Sequence, residues 1–156
     1  MMNFATLWIC FALLGFQSST METDLPQLRK NYTKVVSDKK LCDSLIQTLE
    51  KQNNSATQVA YLGALQTIWA KHTPNPVSKL STFRRGKNNL EKAVKSEPNN
   101  IEIRFLRHSV QKNIPKFLGY SEHIEEDRRF LQKNKHQVPD PDLKNLIEET
   151  LLLKNT

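Results

Sequence analysis

From residue 25 onward the apolar side chains return every three or four residues, and the runs that carry this spacing are cut by proline, asparagine and aspartate. Three to four residues is the period of an α-helix, whereas a half-buried strand alternates with a period of two. No stretch alternates apolar and polar residues between hairpin turns. The expected fold is therefore all-α: a compact array of antiparallel helix hairpins, with about seven helices in one domain spanning residues 20–156.

Residues 25–37 set Leu25, Leu28, Tyr32, Val35 and Val36 on one side, and Ser37-Asp38 offers the cap for a second helix to about residue 52. Asn53-Asn54-Ser55 breaks the chain. Ser55 can cap a longer helix to His72 whose buried stripe would be Val59, Leu62, Leu65, Ile68 and Trp69. Thr73-Pro74-Asn75-Pro76 ends that helix and opens the next, since proline in a first turn loses no hydrogen bond. Over residues 76–95, Val77, Leu80, Phe83, Leu90, Ala93 and Val94 describe an amphipathic helix with Gly86 near its centre. A helix over 101–113 follows, closed by Ile114-Pro115. The loop Phe117-Leu118-Gly119-Tyr120 is then expected to plug the core, with contact to a partner as the alternative, and Ser121 to cap a helix rich in early acids. Asp140-Pro141-Asp142 opens the last helix, faced by Leu143, Leu146, Ile147, Thr150 and Leu151.

Ahead of this body, Phe4 to Phe16 is apolar except for Thr6, and no charged side chain occurs before Glu22. Thirteen residues suit the core of an export signal and fall short of the roughly 20 that span a bilayer. Residues 1–19 are expected to be a signal peptide and the protein to be secreted or periplasmic; an uncleaved, membrane-anchoring segment is the alternative. After cleavage no stable transmembrane span would remain. Cys10 would leave with the signal, so Cys42 would have no internal partner in an oxidising compartment. Its place among Leu41, Leu45, Ile46 and Leu49 suggests a small buried hydrophobe.

The series Gly86, Leu90, Ala93, Pro98, with Leu62-Gly63 upstream, resembles the helix pair of a tetratricopeptide repeat over about residues 59–108. The resemblance implies stacked helix pairs and a concave face that binds peptides. Gly63, Gly86 and Ala93 would let two antiparallel helices approach closely. The segments NPVSKL, EPNNIEIRFLR, PKFLGY and HIEEDRRF are similar to those of small exported bacterial proteins of unassigned function.

The formal net charge is +7, and it is unevenly spread: residues 29–116 carry 17 basic and 6 acidic side chains, whereas residues 117–156 carry 6 and 8. Arg84, Lys87, Glu91 and Lys95 lie three to four apart, as do Arg104, Arg107 and Gln111. On a hairpin their polar faces would frame one groove, with Arg84, Lys87, Arg104, Arg107 and His108 as candidate partner-binding residues. The same spacing also describes an ordinary solvated face. The expected partners are an envelope protein or an anionic lipid or polysaccharide. Nucleic acid is an alternative that export disfavours, and no DNA-reading motif appears.

No glycine-rich phosphate loop, nucleophile elbow or paired-histidine motif occurs, so no cofactor, metal or catalytic group is expected. The function class is a non-enzymatic binding or scaffold protein. A metal or hydrolytic site around His108 or His123 is the alternative, the latter because Glu126 and Asp127 lie three and four residues on.

Overall fold

The computed structural model describes residues 24–152. The export-signal reading, with Phe4–Phe16 and Cys10, lies outside the described residues. Those residues form seven α-helices and three short 3₁₀ turns, with no strand among them.

Most helix starts follow from a side-chain oxygen that takes up an otherwise orphaned backbone N–H. Asp24 accepts from the Gln27 N–H to begin α1 (Leu25–Asn31). Asp38 accepts from the Leu41 N–H at 2.9 Å to begin α2 (Lys39–Lys51). A reciprocal capping box of Ser55 and Gln58 starts α3 (Ala56–His72). Asn75 and Asn100 do the same work for α4 (Pro76–Ser96) and α5 (Ile101–Asn113). Asp140 accepts from the Leu143 N–H at 2.9 Å at the start of α7 (Pro141–Leu152).

Two boundaries differ from the sequence reading. The helix expected over 25–37 stops at Asn31, and a 3₁₀ turn at Lys34–Val36 follows. Thr33, Val35 and Val36 are β-branched and weak helix formers, and the tighter turn places Val35 fully inside while Val36 stays 47% exposed. Secondly, α6 (Ile124–Asn134) begins three residues beyond Ser121. Its N-cap is His123, which makes no side-chain capping bond, and Glu125, Glu126 and Asp127 supply negative charge to the first turn instead.

Helix α3 packs against α2, α4 and α5, and is buried almost all round. Its one-sided stripe is therefore too narrow a description: Gln58, Gln66 and Thr67 are buried too, whereas Val59 and Trp69 are half-buried. Around its middle the core is densest, with Tyr61, Leu65, Leu90, Phe105 and Leu106 all at 1% exposure or less. Tyr32 meets both Tyr61 and Phe105 edge-on, at ring separations of 5.8 and 5.7 Å.

The close approach expected of the two glycines is present. A Cβ added to Gly63 would lie 2.7 Å from the Gly86 carbonyl oxygen, and one added to Gly86 would lie 2.6 Å from that of Gly63 and 2.9 Å from the Thr67 nitrogen. Backbone meets backbone here, so neither side can yield by rotating a side chain. In an open helix Gly→Ala gains about 1 kcal/mol from propensity. Here Gly86→Ala is expected to lose about 1–3 kcal/mol instead, as overpacking does. Urea denaturation followed by circular dichroism reads this as a lowered midpoint; a midpoint equal to or above that of the parent contradicts the crossing.

Candidate functional site

Arg104 and Arg107 lie three residues apart on α5, and both are drawn inward by α6. Arg107 Nε and Nη2 donate to the two carboxylate oxygens of Asp127 at 2.7 and 2.8 Å, while Arg104 pairs with Asp127 and Glu126. Asp127 has no exposed surface, and the two arginines are 8% and 3% exposed. Arg107 Nη1 also reaches Glu91 of α4 at 3.3 Å, and the other oxygen of Glu91 accepts from the Tyr120 hydroxyl. Burial works against the Arg107 charge, but the Asp127 hydrogen bonds outweigh it and raise the pKa above the ordinary guanidinium value. Such a cluster is worth little if complete and costly if broken.

His108 stands beside this cluster. Its Nδ1 is 3.1 Å from the Ile124 carbonyl oxygen, which can only accept, so the ring donates an N–H there, and burial lowers its pKa. His123, at the surface end of the same helix pair, bonds the Glu126 carboxylate at 2.9 Å, and that bond, with Arg104 adding to it, holds Glu126 below the usual carboxylate range.

A second buried junction ties the opposite side. Arg29 of α1 donates through Nε and Nη2 to both oxygens of Glu102 on α5, at 2.8 and 2.6 Å, and through Nη1 to Asp140 at 2.8 Å. The Tyr61 hydroxyl donates to the same Glu102. Sequence reasoning missed this set. The only available signal was an acid, Glu102, between Ile101 and Ile103 in the first turn of α5.

The five candidate residues therefore do not frame one groove. Arg104, Arg107 and His108 are internal, because acids on α4 and α6 face them across the helix contacts. Arg84 is exposed, and Lys87 lies over the Tyr120 ring with its ammonium 4.8 Å from the centroid. The loop expected to plug the core divides its work: Tyr120 is buried and packs edge-on to Phe83, while Phe117 is 86% exposed and Gly119 supplies the positive φ of the turn.

What remains on the surface is the outer side of α4. Along this helix, 21 residues and about 31 Å long, stand Lys79, Arg84, Arg85, Lys87, Lys92 and Lys95, with Glu91 as its single acid. Glu91 is spent on Arg107 and Tyr120. At about 100° per residue, Arg84, Arg85, Lys92 and Lys95 fall within an arc of about 100°. Arg85 has Glu50 at 4.0 Å; Arg84, Lys92 and Lys95 have no ion-pair partner among the described residues.

A cavity of about 330 Å³ lies between the Lys34–Val36 turn and α3, α5 and α7, with Tyr32, Ile68, Phe105 and Leu146 among its walls and Lys71 and Glu149 on its rim. Cys42 is fully buried with Sγ 3.6 Å from the Leu65 carbonyl oxygen, and burial pushes its thiol up to about 12, which leaves it protonated and unreactive at neutral pH. Among the described residues no group of three or more His, Cys, Asp and Glu side chains is placed to hold a metal ion, and no helix is long and apolar enough to cross a membrane. Comparison with protein-family models, curated proteins and solved structures finds no match.

Removing one partner of the cluster should be costly. Asp127→Ala removes the one acid the two buried guanidiniums share, leaving them only the more exposed Glu126 and Glu91, and is expected to lower stability by about 3–5 kcal/mol, whereas Glu126→Ala, at a half-exposed site, should cost about 1 kcal/mol or less. Equal urea midpoints for the two variants would contradict the burial described. The pH dependence has a defined sign. Below the ordinary histidine value of 6.5 the unfolded chain takes up a proton that folded His108 resists. Stability is thus lost as pH falls from that value, with Glu126 and Asp140 adding losses only below the ordinary carboxylate range. Melting temperature should drop between pH ~7 and ~5, and His108→Gln should flatten that drop; an unchanged slope contradicts it.

Proposed function

We propose that this chain is an exported, non-enzymatic binding module that engages an anionic partner of the cell envelope through the outer side of α4. The observation that carries the reading is the allocation of charge. Of the six acids between residues 29 and 116, Glu91 and Glu102 are paired with arginines in the two buried junctions and Glu50 stands 4.0 Å from Arg85, whereas Arg84, Lys92 and Lys95 of α4 are exposed with no ion-pair partner among the described residues. A row of this kind attracts polyanions over a Debye length and weakens with salt. Arg84 and Lys87 remain candidate contacts on this helix, while Arg104 and Arg107 are held in the buried cluster behind it.

Soluble polyglutamate is a suitable probe because it offers carboxylates without a lipid surface. The full chain should bind it at low salt and lose binding as salt is raised. Replacing Arg84, Arg85, Lys92 and Lys95 with alanine together should weaken binding at least about tenfold, since each exposed charge contributes some tenths of a kcal/mol, with an unaltered far-ultraviolet spectrum. Undiminished binding by a folded quadruple variant would overturn the α4 reading.

A further inference from the structure

The large hydrophobic side chains that remain exposed among the described residues are Val36, Val77, Leu80, Phe117 and Leu152, at 47, 78, 39, 86 and 80%. They come from four separate segments, yet the topology brings all of them to one end of the helical array. Helices α3, α4 and α5 alternate in direction, so the end of α3, the start of α4 and the end of α5 lie together. The end of α5 is level with the end of α3, since Asn113 and Lys71 line one cavity, and the chain then turns back so that Tyr120 rests on Phe83 and Lys87 in the middle of α4. Phe117 is three residues earlier, within about 10 Å along the chain. Val36 joins the same end through the cavity that it lines with Ile68, Ile114 and Thr150. The Lys112 ammonium, bonded to the Thr150 carbonyl at 2.7 Å, brings the end of α7 and hence Leu152 alongside.

Cations surround these side chains. Lys34, Lys71, Lys79 and Lys116 are exposed at that end, as is Lys39, whose ammonium lies 5.3 Å from the Trp69 ring centroid. The acids there are Asp38, Glu122 and Glu149, and Glu125, which is paired with Arg128.

We infer that this end of the array is a docking surface for an anionic lipid bilayer, into whose interfacial layer Phe117, Val77 and Leu80 insert while the surrounding lysines meet headgroups. The inference rests on the reading of an anionic partner and names that partner as a membrane surface. Charge complementarity supports it, and so does shape: the apolar side chains stand on the start of α4, the end of α7 and two short turns, with the exposed Lys34, Lys79 and Lys116 in the same segments. A protein partner would need a matching hollow for each, whereas a bilayer deforms to accept separate apolar tips and holds the cations at its surface. Phe117 is built for this place, since the buried Tyr120 anchors its turn and the positive φ of Gly119 lets the chain reverse with the phenyl ring outward.

The test uses the full chain with Phe117→Trp, and vesicles of phosphatidylglycerol and phosphatidylcholine against phosphatidylcholine alone. On the anionic vesicles the added tryptophan should show blue-shifted emission and quenching by brominated acyl chains, over the signal of the parent protein. The triple variant Val77→Ser, Leu80→Ser, Phe117→Ser should partition at least about tenfold less while remaining helical. Vesicle association with no blue shift from the introduced indole, or undiminished in the triple variant, would overturn the inference, because some other part of the chain would then hold the lipid. Polyglutamate bound with no vesicle association would overturn it too and leave the α4 reading standing; failure to bind either would remove both.

Discussion

A carboxylate with no exposed surface needs opposite charge at contact distance, and Asp127 finds it in Arg104 and Arg107. This requirement holds α6 against α5 in one register. Because Arg107 also reaches Glu91, and Glu91 holds Tyr120, the same requirement fixes α4 and the turn between α5 and α6. Arg29 with Glu102 and Asp140 does the corresponding work for α1, α5 and the start of α7. Apolar burial drives the helices together; these two junctions decide how they are aligned, since a slip of one helical turn would leave a charge buried alone. The glycine crossing sets the remaining distance, letting α3 and α4 approach until their backbones touch.

Much of the all-α body could be read from the chain because its signals are local. Asp38, Ser55 and Asp140 cap helices where the sequence placed them, and Pro76 opens α4, since a cap needs only its own N–H groups two or three residues on. Gly63 and Gly86 were legible for a related reason: glycine in a helix interior costs stability, so its presence points to a close contact. The start of α6 was not legible, because His123 caps without a side-chain bond and Ser121, the better cap by type, stands too early.

The site was harder to see because charge partners are chosen across space. Arg84 and Arg107 are alike in sequence, each a basic residue directly after a buried apolar one, Phe83 and Leu106. What separates them is whether an acid on another helix faces them, and Asp127 lies 20 residues from Arg107, with Glu91 16 residues away on the other side. Spacing within α4 and α5 carries no trace of that choice. The loop Phe117-Leu118-Gly119-Tyr120 shows the same limit: its apolar residues share one character, while the fold buries Tyr120 and leaves Phe117 in water.

The account turns on which arginines are inside, since the surface that meets a partner is whatever the junctions leave over. Treatment of the native protein with phenylglyoxal, followed by peptide mass spectrometry, reads guanidinium accessibility one residue at a time. Arg84 and Arg85 should be modified readily, while Arg104 and Arg107 should resist until denaturant unfolds the chain. Modification of Arg104 and Arg107 in the native protein at the rate of Arg84 would contradict the account, for the buried cluster and the surface derived from it would both be absent.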